Sequence, residues 1–292
     1  MKSTLDCLEC IAKQALRAAR IATDDPVRQR QIMDATLRQV PTLDLEDSPA
    51  WISRIAYTMT TEHSGNPDPY REAKRAQNAL ALEFEPELRR LVRESSDPLM
   101  TALHLSAAGN IIDLGTMQHH EIDLPAVIAE VMREQFAVDH SEAFRAALPR
   151  CKDLLFLLDN AGEIVFDKVL IEELSRHTTV TAVVKGAPII NDALMEDAEQ
   201  VGLTAICEII DNGGAFIGSP LAHIPAAFRA RMDRADILLG KGQGNYETID
   251  DHPGDVYLIL RAKCEIVARH MGVRYGQVGM ISTRQRRALQ GC

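Results

Sequence analysis

The sequence predicts an α/β protein: a helical N-terminal half followed by a parallel sheet of about five strands with helices on both faces. Three observations carry this reading. Proline-led helix starts recur through the first half of the chain. From Cys151 onward, short apolar runs alternate with helical patterns. The segment after each of those runs carries glycine, polar or charged residues. The domain reading is residues 1–150 as a helical N-terminal domain and 151–292 as the α/β domain.

The elements follow in order. Residues 5–22 place Leu5, Leu8, Ile11, Ala15, Leu16 and Ala19 at helical spacing, with Ser3 and Thr4 as capping candidates. Asp25-Pro26, Ser48-Pro49, Asp68-Pro69, Asp97-Pro98 and Asp123 before Leu124-Pro125 each set a capping side chain ahead of a proline. The expected strands are Leu154–Leu158, Val180–Val184, Ala205–Ile210, Asp236–Leu239 and Val256–Leu260. The expected helices between and after them are Ile164–Leu174, Asp192–Val201, Pro225–Met232 and Ala262–Met271. Right-handed crossovers then place helices on both sheet faces. With no Gly/Ser-rich linker between the halves, they are expected to pack closely.

Composition narrows the function classes. Of 292 residues, 46% are apolar and 25% charged, an ordinary globular balance. The net charge of −10 opposes general nucleic-acid binding, which needs cations to displace counterions. No run reaches the ~18 apolar residues of a membrane span. MKSTLDCLEC lacks a signal peptide's apolar core. Six sparse cysteines fit a reducing cytoplasm. The expectations are a cytoplasmic location and no nucleic-acid or membrane partner; the sequence assigns no oligomeric state.

Chemistry gathers after the strands, where open parallel sheets bind ligands. The first run is followed by Asp159-Asn160-Ala161-Gly162-Glu163, the second by Lys185-Gly186 and then Asn191-Asp192. After the third come Asp211-Asn212-Gly213-Gly214 and Gly218-Ser219. After the fourth comes Gly240-Lys241-Gly242-Gln243-Gly244-Asn245, and after the fifth Arg261-Ala262-Lys263-Cys264. Two carboxylates and an amide oxygen (Asp159, Asn160, Asp192) suit a hard divalent cation and leave coordination positions open. The competing explanation is that both aspartates cap the helices that follow. Segments 213–219 and 240–245 read as glycine-rich phosphate cradles or as plain turns. In the helical half, Gly109-Asn110-Ile111-Ile112-Asp113 is either a helix C-cap or a pair of polar side chains, Asn110 and Asp113, reaching the cleft. Cys7 and Cys10 form a CxxC, half of a zinc site or a redox pair, with Cys264 as a candidate third thiol. Buried small apolar side chains explain them equally well.

CLEC, AAGNIID, DNAGEIVFDKVLIEEL, VVKGAPIINDALMEDA, ADILLGKGQGNYE and LILRAKC run in order over nearly the whole chain. Together they resemble the damage-control phosphatases, first catalogued as domain of unknown function 89, and the CxxC start resembles their archaeal and bacterial branch. The resemblance implies a helical N-terminal domain joined to a Rossmann-like α/β/α sandwich. It implies a phosphatase dependent on cobalt, nickel, manganese or magnesium, acting on a small phosphorylated metabolite. It places the metal on Asp159, Asn160 and Asp192, the substrate phosphate on Lys241, and Asn110 and Asp113 along the cleft.

The expected reaction is hydrolysis of a phosphomonoester of a sugar, nucleotide or cofactor-related compound, with Asp159, Asp192 and Lys241 as the catalytic set. Glu163, Gly213, Gly214, Ser219 and Asn245 join Asn110, Asp113 and Lys241 as substrate-binding candidates. Metal-activated water and an aspartate nucleophile both fit these residues. The alternatives are an S-adenosylmethionine-dependent methyltransferase, a non-catalytic nucleotide- or phosphate-binding protein, and a redox or zinc protein centred on the CxxC.

Overall fold

The computed structural model describes residues 1–109 and 135–290. The first half is helical: α1 (Leu5–Ala22), α2 (Pro26–Gln39), α3 (Pro49–Ser64), α4 (Arg71–Glu94) and α5 (Pro98–Gly109). The proline signals mark real starts. The Asp25 carboxylate accepts from Val27 N at 2.9 Å, the Ser48 hydroxyl from Trp51 N at 3.2 Å, and the Asp97 carboxylate from Met100 N at 3.2 Å. At Asp68-Pro69 the helix begins two residues late, because the Asp68 carboxylate first closes a turn onto Tyr70 N. The fifth signal, Asp123 to Pro125, lies outside the described residues.

The buried stripe of α1 differs from the expected one. Ile11, Ala15 and Ala19 are buried as read, together with Cys7 and Ala18, but Leu5 and Leu16 face solvent. Small side chains on this face let α3 approach closely, so Cys7, Ile11 and Ala15 pack with Ile52 and Ala56.

Among the described residues, six strands form one sheet in the order β3-β2-β1-β4-β5-β6. They are β1 (Asp153–Leu157), β2 (Thr179–Val184), β3 (Glu208–Asp211), β4 (Ile237–Lys241), β5 (Val256–Arg261) and β6 (Val278–Ser282). The first five run parallel, and β6 pairs antiparallel with β5. The expected α/β architecture holds, with one strand more than expected at the edge. The order reverses between β1 and β4, the switch point outside which such sheets bind ligands.

Strand alternation splits the core in two. Leu154, Phe156 and Leu158 point to one face, where they pack with Phe166 and Leu170 and with Leu88, Leu103 and Leu105 from α4 and α5. Leu155 and Leu157 point to the other, with Phe228, Met232, Tyr246 and Leu258. The helical half therefore shares a core with the sheet, which holds α4 and α5 against the helix Glu163–Leu174. No helix of the described residues is long and apolar enough to cross a membrane.

Candidate active site at the switch point

The segments leaving β1 and β2 are stitched together by backbone hydrogen bonds. Ala161 N donates to Asn191 O at 2.9 Å and Ala193 N to Asp159 O at 2.8 Å, and Asn160 and Asp192 form an isolated antiparallel bridge. This pairing sets Asp159, Asn160 and Asp192 side by side. Neither aspartate caps a helix. The helix Glu163–Leu174 starts from Gly162 with no side-chain cap, and the helix Met195–Gln200 starts from Leu194, whose N–H goes to Asp197. The capping explanation therefore fails. The expected helix from Asp192 begins only at Met195, leaving Asp192 in the turn.

Two further contacts fix this turn. Gly162, at φ +76°, donates its N–H to Asn78 Oδ1 of α4 at 2.6 Å. Asn78 Nδ2 in turn donates to Asp197 Oδ1 and Gln200 Oε1. Fully buried, Asn78 bolts the helical half onto both turns. From the β4 side, Gly242 at φ +79° lies so near that a Cβ there would fall 1.9 Å from Asp159 Oδ2. Only glycine allows that approach.

Asn160 is held by its amide nitrogen, which donates to Asp159 Oδ2 at 2.9 Å and to Glu163 Oε2 at 3.0 Å. With Nδ2 committed to two carboxylates, Oδ1 is the atom of that amide suited to a cation. Beneath lies Lys241, whose ammonium donates to Ser106 O at 2.8 Å, Glu163 Oε1 at 2.6 Å and Asp167 Oδ1 at 2.7 Å. Those three bonds use all its donors. The structure thus places Lys241 under the cleft, not in it: 240–245 is no loop, because β4 runs through Lys241 and a helix spans Gly242–Ile249.

Electrostatics mark the same cluster. Burial, then the Glu163 charge, pushes the Asp159 carboxyl up to about 6. Burial pushes Asp192 up to about 7 against the pull of Lys185. Burial likewise pushes Asp167 up to about 7 against the opposing pull of Lys241. Burial also opposes ionisation of Glu163, but the charge and hydrogen bond of Lys241 and the Asn160 amide hold it below the usual range. Lys263, exposed after β5, acts on Asp159, Glu163 and Asp192 together. Its place after a fifth strand was the sequence signal for it. Lys185, buried 3.4 Å from Asp192 Oδ2, had the same signal.

The residues present fit a hard divalent cation. Two buried carboxylates resist ionisation without a compensating charge, and the donor set is all oxygen. Asp192 Oδ2 is buried with no hydrogen bond of its own, only the 3.4 Å approach of Lys185.

The remaining candidates fall elsewhere. Gly213 N and Gly214 N are taken by Asp211 Oδ1 and Asn212 Oδ1. Ser219 Oγ donates to Asn245 Oδ1 at 3.3 Å, and Asn245 Nδ2 bonds the carbonyls of Leu157, Leu158 and Lys241, tying strand ends together below the cleft. Asn110 and Asp113 lie outside the described residues. Cys7 is buried and Cys10 exposed, and Cys264 Sγ caps the helix Glu265–Met271. Among the described residues, no three His, Cys, Asp or Glu side chains are grouped to hold a metal.

Residues 3–278 match the damage-control phosphatase ARMT1-like domain. The chain belongs to that family. It is 32% identical over 281 residues to an uncharacterized protein of Methanocaldococcus jannaschii, covering 93% of this chain and 92% of that one. It is 32% identical to a damage-control phosphatase of Archaeoglobus fulgidus, covering 95% and 98%, and 29% identical to one of Pyrococcus horikoshii, covering 94% and 96%. A crystal structure of a member of the domain-of-unknown-function-89 family from Pyrococcus horikoshii superposes with a TM-score of 0.89 at 28% identity, over 97% of this chain and 99% of that one.

Proposed function

We propose that this chain is a divalent-metal-dependent phosphatase that hydrolyses a phosphomonoester of a small metabolite in metabolite damage control. The observation that carries the reading is the stitched trio of Asp159, Asn160 and Asp192 at the switch point, with neither aspartate used as a helix cap. The names of the relatives from Archaeoglobus fulgidus and Pyrococcus horikoshii support it.

Asp159, Asn160 Oδ1 and Asp192 would hold the cation. Magnesium, manganese, cobalt or nickel bound there supplies Lewis-acid polarisation of a phosphate oxygen. Lys263 is a cation open to solvent on this edge, and we assign it a phosphate oxygen. Lys185 balances Asp192 from below. Glu163, fixed by Lys241, keeps the Asn160 amide turned. In the overall reaction a water oxygen bonds to phosphorus, the bond from phosphorus to the leaving oxygen breaks, and that oxygen takes up a proton.

The test is phosphate release by chelator-stripped protein with each metal added back, across sugar, nucleotide and cofactor-related phosphates. Metal-dependent release supports the proposal. No release with any metal, from folded protein that binds the metal, moves the assignment to a binding module.

A further inference from the structure

We propose that Gln243 is a positioning residue for phosphate binding: its side-chain amide fixes the backbone of Lys263 and so holds that ammonium at the edge that carries the candidate metal trio. This rests on the phosphatase reading, in which Lys263 takes a phosphate oxygen, and adds to it the group that sets where Lys263 stands.

Helix periodicity sets the first contact. In the helix Gly242–Ile249, Gln243 and Glu247 stand one turn apart and share a face. Gln243 Nε2 donates to Glu247 Oε1 at 2.7 Å, and Gln243 Oε1 accepts from Lys263 N at 2.9 Å. The amide has one workable orientation. An ionised carboxylate only accepts and a backbone N–H only donates, so a flipped amide would lose both bonds. Glu247 is itself buried and held, because Ala50 N, in the first turn of α3, also bonds its carboxylate. The helical half thereby steadies the acceptor on which Gln243 leans.

Both ends of this link meet the site. Gln243 directly follows Gly242, the residue packed against Asp159 Oδ2. Lys263 lies in the short connection from β5 to the helix Glu265–Met271, and its neighbours are tied elsewhere. Ala262 N donates to Gln277 O at 2.9 Å, Ala262 O accepts from Gly276 N at 2.9 Å, and Cys264 Sγ accepts from Val267 N at 3.5 Å. The bond to Gln243 is what joins the Lys263 backbone to the helix that starts beside Asp159. Against the burial that raises both carboxyls, the Lys263 charge acts on Asp159 and Asp192, in keeping with this placement. The lysine side chain is exposed and flexible, so a fixed backbone lowers the ordering cost when its ammonium engages an anion.

The experiment measures methylphosphonate binding by calorimetry at saturating magnesium, a readout free of turnover, in wild type, Gln243→Met, Lys263→Ala and the double variant. Melting curves confirm folding, and Gln243→Ala takes the place of the methionine variant if that one is unfolded. Gln243→Met should weaken phosphonate binding by about three- to tenfold, the worth of a hydrogen bond, while magnesium affinity stays near wild type. In the Lys263→Ala background the same substitution should change phosphonate affinity by less than about twofold, because Gln243 acts through Lys263. An effect as large without Lys263 as with it, no effect at all, or a matching loss of magnesium affinity overturns the proposal. So does wild type that binds no phosphonate, or Lys263→Ala that binds it unchanged. If the expected pattern appears but no phosphate ester is hydrolysed, only the phosphatase reading fails.

Discussion

Glu163 joins two roles in one side chain: Oε1 accepts from Lys241 Nζ at 2.6 Å while Oε2 accepts from Asn160 Nδ2 at 3.0 Å. A buried ion pair below the sheet edge thereby sets the orientation of an amide in the candidate metal trio. Glu163→Gln keeps the size and one acceptor but loses the charge. We expect metal affinity to fall about 10–100-fold, as for other groups that orient metal ligands, with the fold retained. Isothermal titration with manganese measures it. Unchanged affinity would sever Glu163 from the metal site.

Lys241→Met leaves Glu163 and Asp167 facing each other, both buried, without their shared cation. The cost of stranding a buried charge in this way is about 3–5 kcal/mol. Urea unfolding of the variant should show a loss of that order. A variant as stable as wild type would mean the ammonium is not the hub of this cluster.

Gly242→Ala tests the close approach to Asp159. The new methyl must displace the carboxylate, and the positive φ adds about 1–2 kcal/mol of backbone strain. We expect turnover to be lost while circular dichroism stays native. Full activity would show that the Asp159 position is not critical.

Glu247 carries a pH signature away from the trio. Burial pushes its carboxyl up to about 7 against the hydrogen bond from Gln243. Between its ordinary value of 4.5 and about 7, the folded state binds more protons than the unfolded chain, so stability falls as pH rises through that window. Glu247→Gln removes the penalty and should gain up to about 3 kcal/mol relative to wild type at pH 8, and little at pH 4. Denaturation at the two pH values measures this; a gain that does not depend on pH would contradict it.

Much of the fold was legible because β1, β2, β4 and β5 are compact, largely apolar runs with polar segments after them, whereas β3, Glu208–Asp211, starts later than the expected Ala205 because Leu203–Ala205 forms a 3-10 turn. Strand β6 was not legible: Val278–Ser282 is a short segment containing Gly279 beyond the last expected helix, and it runs antiparallel to β5. Asp159, Asn160 and Asp192 were legible because residues that follow neighbouring strands share an edge. The place of Lys241 was not, because strand alternation through Gly240 and Lys241 turns the ammonium toward the helix Glu163–Leu174. A glycine-rich string alone does not reveal that. Asn78 was beyond reach, since its bond to Gly162 spans 84 residues.

The most direct test is Asp159→Asn, assayed beside wild type for manganese binding by calorimetry and for metal-dependent phosphate release. The account predicts a folded variant with sharply weakened manganese binding and turnover down by at least about a hundredfold. Native metal binding with retained turnover would contradict the assignment of the active site to the β1–β4 switch point.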